Sequence, residues 1–264
     1  MMTNNMIRLI PVLFIKNGLI VRSQFFRRHQ VIGNVVSQAQ RLSEWNADEL
    51  VYIDISREQR FDSGRDDVKV KSAGSIISII QQISDVCLMP LAFGGGIRST
   101  KDAVDRIRMG ADKVVVNSLL FESPDIVSDM AQVLGGQAIM GSLDYRIIDG
   151  KPLIYKHFGI QATKMDLIDM ALRCEDLGVG ELLLQEVDRD GAACGYGLEE
   201  IDRVLHAVSI PVIACSGAGT TQHFVEVAKL NGLSGIAAGN YFNFSERSYP
   251  NIKQALRSAG VNVR

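Results

Sequence analysis

A segment that occurs twice constrains this chain more than anything else in it: PLAFGGGIRST (90–100) and PVIACSGAGTT (211–221) align without a gap. Each is an apolar run that breaks into a glycine turn and then a Ser/Thr start to a helix. Beyond each expected helix comes a second apolar run, DKVVVNS (112–118) in one copy and SGIAAGN (234–240) in the other, and each ends in a small, amide-rich tip. One supersecondary unit used again at this scale means that the fold is a doubled half.

The rest of the chain keeps the same alternation. Short runs rich in Val, Ile and Leu recur at 7–15, 49–55, 90–94, 113–117, 137–144, 181–187, 211–215 and 236–239. Amphipathic stretches at 31–45, 73–86, 101–109, 125–134, 164–177, 198–207 and 222–230 separate most of them. Strands that are apolar on both faces and alternate with helices indicate a parallel sheet with crossover helices. Eight such units in 264 residues predict an α/β fold, a (β/α)8 TIM barrel with an internal half-barrel repeat; an open doubly wound sheet more often stops at about five or six strands. With 47% hydrophobic residues and no linker or low-complexity tract, one domain over 1–264 is expected.

Charge and cysteine usage exclude several classes. A formal net charge of -2 gives no polycationic surface for nucleic acid, and the one basic cluster, 22–29, is too short to alter that. No apolar run is long enough for a bilayer, and the opening MMTNN lacks a signal-peptide pattern. Cys87, Cys174, Cys194 and Cys215 are scattered without CxxC spacing, so a reduced, cytoplasmic protein without structural zinc, disulfides or a cofactor is expected.

In a barrel the reactive face lies at the C-terminal strand ends, where loops converge and helix N-termini point inward. The glycine turns fall there: Gly94-Gly95-Gly96 and Asn117-Ser118 in one half, Ser216-Gly217-Ala218-Gly219 and Gly239-Asn240 in the other. Glycine lets the main chain approach an anion closely. Two matched copies predict two phosphate cradles across the mouth, and hence a long ligand phosphorylated at both ends; the plainer alternative is a pair of tight turns. Among the acids of this face, Asp144 ends the fifth run and reads as a general acid or base. Asp188, in VDRDG, reads as a turn residue, and Asp54 closes the second run. Leu143-Asp144 corresponds in the other half to Leu13-Phe14, so a benzyl group stands where a second acid would. At the opposite end, Arg8, Glu49, Lys113 and Glu181 stand at the starts of the first, second, fourth and sixth runs, as a salt-bridge plug or as the gate of an axial channel.

The segments IRLIPVLFIKNGLIV, ADELVYIDIS, FGGGIRST, GADKVVVN, GSLDYR, GVGELLLQEVDRDG, GYGLEEI, IPVIACSGAG and GVNVR together resemble the cyclase subunit of imidazole glycerol phosphate synthase in histidine biosynthesis, over nearly the whole chain from about Ile7. The resemblance implies a lyase and cyclase barrel. Ammonia from a separate glutaminase subunit, docked on the barrel bottom as a heterodimer, would act on a bisphosphorylated ribotide. It implies one phosphate site at Gly95, Gly96, Asn117 and Ser118, and another at Asp190, Gly191, Gly217, Gly219, Gly239 and Asn240. It implies that Arg8, Glu49, Lys113 and Glu181 form an ammonia gate and that Asp112 lies at the glutaminase interface.

The departures are as specific as the likeness. Of the family's catalytic aspartate pair only Asp144 is present, the other position being Phe14. Arg22 replaces a loop lysine, Gln185-Glu186 replaces a Thr-Ser pair, with Glu186 expected to crowd an anionic site, and 57–72 is a longer, more polar connection. Related barrels without the first-strand aspartate accompany surface-glycan gene sets, where the pair supplies ammonia to amidate a sugar. Three functions therefore stand open: the ordinary cyclase, an ammonia-channelling barrel with another acceptor, and an inert barrel that activates its glutaminase. Phe25, Phe26 and the arginines of 22–29 suit a lid that meets phosphates as well as an ordinary solvated loop.

Overall fold

A computed structural model describes residues 6–56, 75–157, 159–243 and 247–264. In chain order its elements are β1 (Arg8–Lys16), β2 (Leu19–Gln24), β3 (Arg28–Asn34), α1 (Val35–Glu44), β4 (Leu50–Asp54), α2 (Ile76–Ser84), β5 (Leu91–Gly94), α3 (Thr100–Arg108), β6 (Lys113–Val116), α4 (Leu119–Glu122) and α5 (Pro124–Leu134). The second half continues with β7 (Ile139–Ile148), β8 (Lys151–Lys156), β9 (Gln161–Asp166), α6 (Leu167–Asp176), β10 (Glu181–Glu186), α7 (Leu198–Ala207), β11 (Val212–Cys215), α8 (Thr221–Val227), β12 (Gly235–Ala238) and α9 (Ser248–Ser258). Strands β1, β4, β5, β6, β7, β10, β11 and β12 pair in parallel in that order, and β12 closes on β1. The eight expected runs are these eight strands, and the (β/α)8 barrel is the fold.

Because side chains alternate across a strand, each barrel strand feeds two cores. Ile10, Val12, Val51, Ala92, Val115, Met140, Leu183, Ile213 and Ala237 fill the interior of the cylinder. Their neighbours Leu9, Leu13, Leu50, Val114, Leu182 and Leu184 pack outward under the helices. This explains why ELLLQE on β10 is buried throughout. The helices close by ordinary local chemistry: Ser99 caps α3 by accepting from the Asp102 amide at 3.1 Å, and Arg106 and Arg108 occupy its last turn, where cations suit the helix dipole.

Two features depart from the expected pattern. The stretch 22–29, expected as a loop, is a hairpin in which β2 and β3 pair antiparallel and continue β1, and β3 takes 31–34 from the expected first helix, so α1 begins at Val35. Likewise β7 runs past Asp144 into an antiparallel extension with β8 and β9, which takes 164–166 from the expected fifth helix. Both hairpins begin at two-residue turns with left-handed backbone, Asn17-Gly18 (φ 51 and 74) and Asp149-Gly150 (φ 50 and 74), the geometry that matches the twist of the flanking strands. The doubled half thus includes its decorations. Helix α9 lies beyond the expected helices and packs along the barrel wall beside β1: the Tyr249 hydroxyl donates to the Leu9 carbonyl at 2.9 Å, and Lys253 pairs with Asp48 at 2.7 Å. The connection 57–72 lies outside the described residues. Among the described residues no helix is long and apolar enough to cross a membrane.

Candidate functional site

The two glycine turns both pass through positive φ at corresponding positions. Gly95 and Gly96 carry φ of 99° and 64°, and their counterparts Ser216 and Gly217 carry 77° and 92°. Consecutive left-handed residues turn backbone N–H groups toward one side, an arrangement suited to anions. The steric demands differ. A Cβ on Gly95 would stand 2.1 Å from the Asp54 carbonyl oxygen and one on Gly217 only 1.9 Å from that of Gly195, whereas at Gly96 the nearest such atom is 3.7 Å away on Arg106. Gly219 sits against Ala193, with its amide donating to His223 at 3.2 Å. The turn at 94–96 opens the nine-residue α3; the seven-residue α8 adds a shorter dipole, so the second turn relies on its own amides.

The amide tips are also matched. Asn117 donates from Nδ2 to the Ser142 carbonyl at 2.9 Å, while Ser118 starts the short α4. Asn240 clasps Ser23 of the β2 hairpin twice, accepting from its amide at 3.2 Å and donating to its carbonyl at 2.6 Å. Gly239 runs close to β1, where a Cβ would lie 3.2 Å from the Val12 carbonyl oxygen.

Asp144 is buried on β7, in register with Gln185 on β10. The Gln185 amide donates to the Ser142 hydroxyl at 2.9 Å and to Asp144 Oδ1 at 3.2 Å. Burial pushes the Asp144 carboxyl up, hydrogen bonds from Gln185, Asn117 and Ser142 pull it back, and the balance lies at about 7. Gln185, read from the sequence only as a departure, therefore holds the acid, and Ser142, not anticipated at all, holds Gln185. Alternation places 142, 144 and 185 on the inner face, a signal that the sequence contained.

Across the mouth, Phe14 occupies on β1 the place of Asp144 on β7: each is the residue at which the hairpin pairing begins, Phe14 with Val21 and Asp144 with Tyr155. Phe14 packs edge to face on Phe26 with centroids 5.9 Å apart, joined by Val21, Ile53, Ile55 and Val187. Phe25 and Phe26 both sit in left-handed backbone, at φ 54° and 53°, a costly conformation for such residues. Asp190 over-determines it. Its carbonyl accepts from the Phe25 amide at 2.9 Å, and its carboxylate accepts from the Phe26 amide at 3.1 Å and the Ser23 hydroxyl at 2.7 Å. Burial raises the Asp190 pKa, and those hydrogen bonds oppose it. A Cβ on the adjacent Gly191 would meet the Ser23 carbonyl at 2.7 Å. The expected phosphate residues Asp190 and Gly191 thus also fasten the hairpin. A hollow of about 20 Å3 remains between Phe14, Gln185, Cys215, Ser216, Gly217 and Gly239.

Glu186 does not crowd this hollow. One residue beyond Gln185, it points to the outer layer, where Arg189 binds it at 2.7 Å and the Tyr145 hydroxyl approaches at 3.5 Å. Burial raises its pKa, with the Arg189 charge opposing. Asp188 pairs with Arg146 at 2.8 Å on the surface, as a turn residue would. Asp54 accepts from the Ser56 amide and hydroxyl at 2.9 and 2.5 Å, with its pKa raised by burial. Among the described residues no three or more His, Cys, Asp or Glu side chains converge as a metal site.

At the barrel bottom the four expected charges form a closed ring. Arg8 pairs with Glu49 and Glu181, and Lys113 reaches the same two at 2.8 and 2.7 Å. Burial lowers the Arg8 pKa, but the Glu181 hydrogen bond and the charges of both glutamates outweigh it, and the net shift is upward. Asp112, exposed on the same rim, accepts from the Leu91 amide at 2.8 Å.

The chain matches, over residues 8–248, the family described as Histidine biosynthesis protein. It is 34% identical over 259 residues to the imidazole glycerol phosphate synthase subunit HisF of Leuconostoc mesenteroides, covering 97% of this chain and 98% of that protein. The subunit of the same name from Corynebacterium glutamicum is 36% identical over 265 residues (98% of each chain). That from Caulobacter vibrioides is 35% identical over 259 residues, 97% of this chain and 95% of its own.

Proposed function

This chain belongs to the histidine biosynthesis protein family, and on that premise we propose that it is the barrel half of an ammonia-using pair of the imidazole glycerol phosphate synthase type. A separate glutaminase docks on the rim of Arg8, Glu49, Lys113, Glu181 and Asp112. The ammonia reacts at the opposite mouth with an acceptor held through phosphate at the turns of 95–96 with 117–118 and of 216–219 with 239–240. The observation that carries this reading is Asp144, a buried acid at the mouth with a pKa of about 7. Such a group both gives and takes a proton near neutral pH, and Gln185 fixes the oxygen that does so.

The same geometry supports a one-acid reaction. A two-acid cyclisation needs a second carboxyl facing Asp144, and that place holds Phe14, packed under Phe26. Histidine-pathway turnover is therefore severely reduced, and the aromatic cover favours a different ammonia acceptor, such as a sugar to be amidated. Gating falls to Lys113, a flexible cation 20% exposed, whose withdrawal would open the ring on one side.

Supplying the bisphosphorylated ribotide with ammonium salt tests the reading. Turnover near zero, restored in part by Phe14→Asp, is expected; full turnover by the unmodified chain overturns it. With a co-purified glutaminase, Lys113→Ala should uncouple the two reactions, so that more glutamine is hydrolysed per product formed while ammonium-driven activity persists, and unchanged glutamine coupling would remove the gate assignment.

A further inference from the structure

The helices that follow the two glycine turns bury corresponding residues, and one pair differs in chemistry. Helix α3 buries Ala103 and Arg106, and α8 buries Phe224 and Val227. The gapless alignment of 90–100 with 211–221, continued along the helices, sets Arg106 against Val227. A valine is an ordinary filling for such a place. A guanidinium is not, because a buried cation costs desolvation that an apolar side chain avoids.

The cation is directed at the first turn. Arg106 donates from Nη2 to the Gly95 carbonyl at 2.8 Å and from Nη1 to the Asp102 carbonyl at 2.9 Å, while its buried Nε has no partner among the described residues. Burial lowers the Arg106 pKa, and the charges of Asp102, Asp54 and Asp105 oppose that. Those carboxylates are engaged elsewhere, Asp102 with the Arg98 amide, Asp54 with Ser56 and Asp105 with Lys101. Among the described residues none of the three pairs directly with Arg106. In a trans peptide the carbonyl of one residue and the N–H of the next point to opposite sides, so holding the Gly95 carbonyl aims the Gly96 N–H away from Arg106. Gly96 is exposed, and its amide has no partner among the described residues. A charged donor on the carbonyl also polarises that peptide and strengthens its N–H. The second turn has only a neutral clasp, the Gly217 carbonyl accepting from the Gly195 amide at 2.8 Å.

We propose that Arg106 is a positioning residue that makes the first glycine turn the tighter of two phosphate sites. It orients and polarises the peptide of 95–96 and adds its charge to the attraction for a phosphate dianion without touching it. This rests on reading both turns as anion cradles and adds which end of the ligand is gripped harder.

Titration of the full chain with inorganic phosphate, followed through the amide resonances of Gly96, Gly217 and Ala218, reads the two turns separately. Gly96 is expected to saturate at about tenfold lower phosphate than the other two. Arg106→Met should remove that advantage and leave the second turn unchanged, and Arg106→Lys, which keeps the charge, should recover part of it. An unchanged Gly96 midpoint in Arg106→Met, or in Arg106→Gln should the Met variant fail to fold, overturns the proposal. So does a second turn that saturates first in the unmodified chain, and so do equal losses in the Lys and Met variants, which would mark a merely structural role. Phosphate shifts at neither turn overturn the cradle reading, and the proposal with it.

Discussion

The tips of β1 and β7 are built alike and filled with opposite chemistry. Both are barrel strands that leave the cylinder through a two-residue turn into an antiparallel hairpin. At the first residue of that pairing one tip carries Phe14, in an apolar cluster with Val21 and Phe26, and the other carries Asp144, in a polar one with Ser142 and Gln185. The backbone frame is therefore indifferent to what it presents, and function lies in the side chains mounted on it. An acid at one tip and a ring at the other convert a symmetric mouth into one with a proton-transfer side and a covered side.

The largest test of this division is kinetic. Asp144→Asn keeps size and hydrogen bonding but cannot exchange a proton, so ammonium-driven turnover on the true acceptor should fall by about 10²–10⁴. Phe14→Leu should change it only a few-fold. Comparable losses at both positions would mean that the two tips share the chemistry after all.

Stability separates the tips next. Phe14→Ala removes a buried ring and the support of Phe26, and is expected to cost about 3–5 kcal/mol in denaturant unfolding at any pH. Asp144 behaves in the opposite sense. It keeps its proton in the fold up to about 7 but in the unfolded chain only to its ordinary value of 3.8, so stability is lost as pH rises through that window. Asp144→Asn should accordingly stabilise the protein by a few kcal/mol at pH 8 and not at all below about pH 4. A pH-independent difference would show that the carboxyl is ionised at ordinary pH in the fold.

A smaller effect is expected where the hairpin is fastened. Asp190→Asn leaves the Phe25 contact to the backbone carbonyl and weakens the two to the carboxylate, at a cost of about 1–3 kcal/mol. Hydrogen exchange should quicken at Phe26 and Ser23 and stay unchanged in β8, since that hairpin is tied instead by Arg146, which pairs with Asp188 and lies over the Tyr155 ring. Equal acceleration in both hairpins would contradict a local latch.

The legibility of these features in the sequence followed the range of the forces behind them. The eight strands and the charged ring were legible because alternation and strand position fix them; ELLLQE is made of helix-favouring residues, and only its short length and its place between two helical stretches mark it as a strand. The hairpins were not anticipated, although Asn17-Gly18 and Asp149-Gly150 are a local signal for them; the polar, basic sequence after the first turn reads as loop, because its strand character comes from pairing with β1 rather than from its own pattern. Glu186 was misplaced because its charge drew attention to the mouth while one step of alternation puts it outside. What no local rule contained was the fastening by Asp190, a contact over a separation of 164 residues.

The matched turns sharpen the comparison at the smallest scale. Gly95 and Ser216 correspond and share positive φ, but the repeat extends to the sign of φ and not to the side chain. Gly95 is compelled, since any Cβ would strike the Asp54 carbonyl; Ser216 accommodates a side chain there, with its hydroxyl in hydrogen-bonding reach of the Cys215 thiol. A left-handed non-glycine residue costs about 1–2 kcal/mol, and glycine's larger loss of chain freedom returns about 0.5–1 of that. Ser216→Gly should therefore stabilise the fold by up to about 1 kcal/mol in denaturant unfolding, whereas Gly95→Ser should unfold or displace its turn. A loss of stability on Ser216→Gly would mean that the hydroxyl contact outweighs the strain, and that the second turn is held by its side chain where the first is held by the lack of one.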